Sequence, residues 1–352
     1  MNFRKYTWRL VIFTVLALVA AACGGSDPTT APASAPITTA SPTLAATVAP
    51  TSTPTADGPT ADALTAEEER YLQSIRDAVE LSDQIFMGFQ EIFRQSYPTR
   101  GAMLSALLEA GVGTPFKVQL EALEVIDPPD RFQDDHRIWV ESTRDLASLD
   151  FEAAQAARDG DAVKFVLING QMGETSVRSR LALSPVFCRN SATNPQAASN
   201  CLPAESELEA DYETRLNQLL RGFLPQFVSM STSLSFPLSL TADELGQVIV
   251  SVASETEDIF QGTSSAVGGL TPPEEMVADH ERLEAFFSRA LAIFQQAHLL
   301  VETGEPGSAQ IEFLGLSTAF CGARQGFEST EFKKAVAIVF QGPPGSCRGE
   351  PF

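Results

Sequence analysis

Positive charge is what this sequence has in short supply. Against 45 Asp and Glu stand 24 Lys and Arg in 352 residues, a formal net charge of −21. Holding nucleic acid or anionic lipid headgroups takes a clustered Lys/Arg surface, and the chain offers none. Its acidic residues are spread along the helices without a dense block, as on solvated faces. Histidine is scarcer, with only His136, His280 and His298 available as bases. HExxH, GxSxG, the P-loop, the EF-hand loop and CxxCH are all missing. A di-iron bundle needs Glu-x-x-His on two helices, yet Gln133, Val277 and Gln295 stand three residues before the histidines. Without a CxxC pair, the cysteines do not fit structural zinc spacing. Little of the chain alternates with period two or is enriched in Val, Ile and Thr as strands are. These gaps exclude the recognisable hydrolases, nucleotide enzymes and metalloenzymes, and they imply no cofactor and no nucleic-acid partner.

What is present begins with an address. Arg4, Lys5 and Arg9 precede the apolar run Leu10 to Ala22, which ends in small residues. That is the order of a secretory signal, and the run is short of the roughly 20 residues that span a bilayer. Leu18-Val19-Ala20-Ala21-Ala22-Cys23-Gly24-Gly25-Ser26 resembles a bacterial lipobox, with Ala20 where leucine is usual. The resemblance implies a signal peptide over residues 1–22 and a lipid on Cys23. It further implies an envelope lipoprotein, exported and anchored to the cell membrane with its folded domains outside the cytoplasm. Ala20-Ala21-Ala22 also fits the A-x-A site of ordinary signal peptidase, which would leave Cys23 an unpaired thiol. Residues 24–62 are a Thr/Ala/Ser tract with Pro28, Pro32, Pro36, Pro42, Pro50, Pro54 and Pro59 and no aromatic residue. Such a tract cannot bury enough apolar surface to offset its conformational entropy. Residues 23–63 therefore read as a disordered stalk, reaching about 120 Å in an extended polyproline-like form.

The remainder repeats itself. Pro128-Pro129 and Asp135-His136 return as Pro272-Pro273 and Asp279-His280, both 144 residues on (272 − 128; 280 − 136). The same offset pairs Leu72 with Leu216, Phe116 with Phe260, Ala153 with Ala297 and Gly160 with Gly304. Near the end the register changes, with Leu181 to Cys188 resembling Leu314 to Cys321. Each unit reads as four helices. Thr65-x-x-Glu68 and Thr241-x-x-Glu244 are capping boxes. Met276, His280, Leu283, Phe287, Ala290, Phe294, Ala297 and Val301 form a seam at three- and four-residue steps. Gly111, Gly113 and Pro115 predict a break in the second helix, and the last helix is expected to break around Gly322 to Ser329. The expected fold is all-α: two tandem up-and-down four-helix bundles, over 64–203 and 204–352. Cys188 with Cys201, and Cys321 with Cys347, are expected to form disulfides, as suits an exported chain.

The candidate ligand-binding residues are Asp135, His136, Asp279 and His280, which occupy equivalent places two turns into equivalent helices. One reading makes them ligands to a metal, haem or small anion. The other makes them core polar groups satisfied by hydrogen bonds, which duplication would copy just as readily. The sequence thus predicts a non-enzymatic envelope protein that binds or senses a partner protein or small ligand. Its alternative is a metal- or haem-binding protein using His136 and His280.

Overall fold

A computed structural model describes residues 63–192, 211–235 and 240–340, together with Leu238. The signal segment, Cys23, the stalk, Cys201 and Cys347 lie outside the described residues. All regular structure described is helical, with no strand. The helices are α1 Ala66–Arg94, α2 Arg100–Glu109, α3 Pro115–Leu123, α4 Gln133–Asp159, α5 Ala162–Ala182 and α6 Pro185–Ser191. After these come α7 Asp211–Ser235, α8 Ala242–Gly268, α9 Val277–Glu302, α10 Pro306–Gly326 and α11 Thr330–Phe340. Among the described residues none of the helices is long and apolar enough to cross a membrane.

Local chemistry sets these limits. Both capping boxes form, each threonine accepting from the third helical amide while the glutamate accepts from the cap amide. Gly160 (φ 72°) and Gly304 (φ 85°) take the left-handed conformation that stops α4 and α9. The predicted break in the second helix is real. Gly111 and Gly113, at φ 94° and 93°, turn the chain between α2 and α3, and Pro115 opens α3. The final break lies at Phe327 to Ser329, between α10 and α11. Helix α6 was not anticipated. Ser184 caps it and Pro185 starts it, just past residue 184, where the fourth helix was expected to end.

The halves repeat at the level of contacts. In the first, α1 packs on α3, α3 on α4, α4 on α5, and α6 on α1. In the second, α7 packs on α8, α8 on α9, α9 on α10, and α11 on α7. The register is not the one read from the sequence throughout. Helices α2 to α5 keep the 144 offset, and the 3₁₀ turns Asp130–Phe132 and Glu274–Met276 match it. Helix α7 follows α1 at 141: Tyr71 and Tyr212 make the same histidine contact, and Phe86–Phe116 corresponds to Phe227–Phe260. Leu216 therefore takes the place of Ile75, not of Leu72. Three residues are close to one helical turn, so the buried stripe survives the slip and conceals it. The second correction is at the end of each half. Ser184 and Phe187 correspond to Ser329 and Phe332, an offset of 145 (329 − 184), through the same cap bond. Leu181 to Cys188 spans the α5–α6 joint, whereas Leu314 to Cys321 lies inside α10, so their likeness is not positional.

The core does not stop at the boundary between halves. Helix α5 packs closely on α7. The larger apolar cluster runs from Phe89 and Met103 through Phe165 and Phe223 to Phe287 and Phe340. A smaller cluster gathers Tyr71, Leu72, Ile75, Leu123, Phe132 and Phe187.

Candidate functional site: the paired Asp-His helix starts

Helices α4 and α9 begin alike. A Pro-Pro pair leads in extended, one 3₁₀ turn follows, and the helix carries its Asp-His in the first turns, where a carboxylate is favoured by the dipole. The aspartates do not face outward. Asp135 is buried, and its Oδ1 accepts from Ser184 N at 2.7 Å while Oδ2 accepts from Ser184 Oγ at 2.7 Å. Asp279 is buried too. It accepts from Glu328 N at 2.9 Å, from Ser329 N at 2.7 Å and from Arg282 Nη1 at 2.7 Å. Ser184 and Ser329 in turn accept from Phe187 N and Phe332 N, each at 3.2 Å. Each aspartate thus clamps the start of the last helix of its half, satisfying amides that have no intrahelical partner.

The histidines are held from the other side. Tyr71 Oη lies 3.0 Å from His136 Nδ1, and Tyr212 Oη lies 2.7 Å from His280 Nδ1. His136 is half-buried; burial holds its pKa below the ordinary value, partly offset by the charge of Asp127. Burial raises the phenol pKa of Tyr71, with Asp135 adding to it. The Tyr212 phenol is raised likewise, by burial first and then by Glu284, Asp279 and Glu213. The halves differ at the far nitrogen. His280 Nε2 stands 3.6 Å from Glu284 Oε1, whereas the matching place in the first half is Val140 (284 − 144). His298 is half-buried, with Nε2 3.6 Å from Glu302 Oε1.

The structure brings the candidate residues together as two separate joints. Among the described residues no group of three His, Cys, Asp or Glu side chains is placed to hold a metal ion. Neither Cys188 nor Cys321 is a free thiol. Their expected partners Cys201 and Cys347 lie outside the described residues. Sequence reading missed Tyr71, Tyr212, Ser184 and Ser329. The tyrosines, two of only four in the chain, were legible at an offset of 141, which a search at 144 passes over. The geometry defines an all-α protein whose Asp-His pairs sit at helix joints. The chain matches no protein-family model, and neither a curated protein nor a solved structure resembles it.

Proposed function

We propose that this is a non-enzymatic envelope lipoprotein, exported and anchored through a lipid on Cys23. It carries a duplicated helical bundle on a Pro/Thr stalk and binds a partner there. One observation carries the non-enzymatic part. The residues best suited to chemistry are engaged in building: Asp135 and Asp279 hold helix starts, and His136 and His280 each give Nδ1 to a tyrosine. Support for duplication is the return of three contacts: Tyr–His, Asp–Ser, and the bond from α1 or α7 to a late carbonyl. In that last pair Arg76 donates to Asn190 O and Asn217 to Ala335 O. Anchoring rests on the lipobox-like segment, and the disulfides Cys188–Cys201 and Cys321–Cys347 belong to the same reading. The test is to express the full chain in a bacterium fed labelled palmitate, beside Cys23→Ser. The label and the membrane fraction should both carry the parent chain and lose the variant. An unlabelled, freely secreted parent would overturn the anchor.

A further inference from the structure

We infer that the second half binds one divalent metal ion between His280 Nε2 and Glu284 Oε1, beside the C-terminal end of α8. The ion is of the class that takes imidazole and carboxylate together, with Zn²⁺ as its type. Such a site goes beyond the proposed function and is independent of the lipid anchor.

The ring is set for it. His280 is buried, and Tyr212 Oη holds it at Nδ1 from 2.7 Å. A ligating imidazole is normally oriented in this way through its other nitrogen. With the proton on Nδ1, the ring donates to the phenol and turns a bare Nε2 lone pair toward the carboxylate of Glu284. The two atoms stand 3.6 Å apart. A charge-assisted N–H···O bond would draw them to about 2.7–2.9 Å. A tetrahedral ion with bonds of about 2.0–2.1 Å to each would hold them about 3.4 Å apart. The gap is nearer to the spacing of two ligands than to that of a donor and its acceptor. Two side chains leave the other coordination positions to water.

The surroundings call for positive charge. Glu284 Oε1 lies 3.0 Å from where a Cβ on Gly268 would be, so any side chain at 268 would push the carboxylate back from the end of α8. A carboxylate there meets the negative end of the helix dipole, and a cation is favoured by both. Among the described residues no Lys or Arg pairs with Glu284. Burial raises the Tyr212 phenol first, and Glu284, Asp279 and Glu213 add to it; at Tyr71 the added charge is that of Asp135. The first half is an internal comparison. Around the same Tyr–His pair it has Val140 for Glu284 (284 − 144) and Leu72 for the buried Glu213 (213 − 141). At the place of Gly268 it has Glu124 (268 − 144), whose Oε1 accepts from Arg144 at 2.8 Å, and the second half has Ser288 where that arginine stands. The second half thus has two more carboxylates at this joint and one arginine fewer. His298 and Glu302 repeat the 3.6 Å spacing further along α9, but there, among the described residues, no hydrogen bond holds the ring.

The experiment is calorimetric titration of Zn²⁺ into the full chain in detergent, first stripped with a chelator, beside Glu284→Val and His298→Ala. Glu284→Val copies the first half and removes the carboxylate without touching the buried ring. The expected result is one ion per chain in the parent and in His298→Ala, and loss of that ion in Glu284→Val with helical content unchanged. Thermal unfolding provides a second measurement. Zn²⁺ should raise the midpoint of the parent by mass action and leave that of Glu284→Val where it stands in chelator. A parent that binds no Zn²⁺ overturns the inference and leaves His280 and Glu284 a helical ion pair. Binding that survives intact in Glu284→Val overturns it as well, and so does binding that is lost in His298→Ala, which would put the ion at the other pair.

Discussion

Matching depths of the two halves hold opposite chemistry. In the first half the interior carries Ser82, Gln119, Thr143 and Asp150, all buried, and Ser82 Oγ donates to Gln119 Oε1 at 3.0 Å. In the second half the places of Ser82, Thr143 and Asp150 are taken by Phe223, Phe287 and Phe294 (82 + 141; 143 + 144; 150 + 144). There the rings close on one another, Phe223 at 4.7 Å from Phe260 and 5.2 Å from Phe287, and Phe260 at 4.9 Å from Phe294. The difference follows from the broken helix. Where the chain turns at Gly111 to Thr114, the amides of Gly113 and Phe116 need an acceptor, and Asp150 provides it, with Oδ1 3.0 Å from Gly113 N. Helix α8 runs unbroken past the same point, exposes no such amides, and can back onto a phenylalanine. One backbone interruption thus decides whether the adjacent interior is polar or aromatic.

The strongest way to break this comparison is to empty the aromatic side. Phe287→Ala should cost about 3–5 kcal/mol, and Thr143→Ala at the matching place only about 1 kcal/mol. Urea unfolding of both variants checks it, and equal losses would mean that the two interiors are not energetically distinct.

Next in size is the pH dependence of the polar side. Burial pushes the Asp150 carboxyl up to about 7, against the two backbone hydrogen bonds that lower it, and its Oδ2 is buried without a partner. The folded state therefore keeps a proton that the unfolded chain has released. The stability this contributes is complete below about pH 4 and is lost as pH rises through about 7. Asp150→Asn should flatten that decline, read from unfolding midpoints at several pH values, and an unchanged decline would remove Asp150 as its source. The smallest expected effect sharpens the likeness of the halves. Tyr212→Phe should cost about 1–2 kcal/mol by leaving a buried His280 nitrogen unpaired, and Tyr71→Phe less, because His136 reaches water. Thermal unfolding of the pair measures it.

The elements were legible wherever one residue type has one physical use. Threonine-x-x-glutamate before an apolar run, glycine after a helix and proline within one gave the caps, the stops and the α2–α3 break. The α9 seam was legible too, since all its members from Met276 to Ala297 are buried. What the sequence hid was register. A hydrophobic stripe looks nearly the same after a three-residue slip, so Leu72 paired with Leu216 on paper although Ile75 holds that place. The Asp-His pairs were visible as a repeat, but their role was not, because the amides that the aspartates satisfy lie 49 and 50 residues away. Asp150 went unnoticed because its reason for being there is a helix break on another segment.

The α5–α7 crossing also bears on the order of assembly. Any chain is made from its N-terminus, and α5 ends at Ala182 while α7 ends at Ser235, 53 residues later (235 − 182). During that interval the flank of α5 at Gly170 and Gly173, where α7 will lie too close for any larger side chain, is finished but has nothing to close it. The first half consequently meets its surroundings as an unsealed surface, and it is sealed by the chain's own continuation. A gene cut after residue 203 would make that passing state permanent.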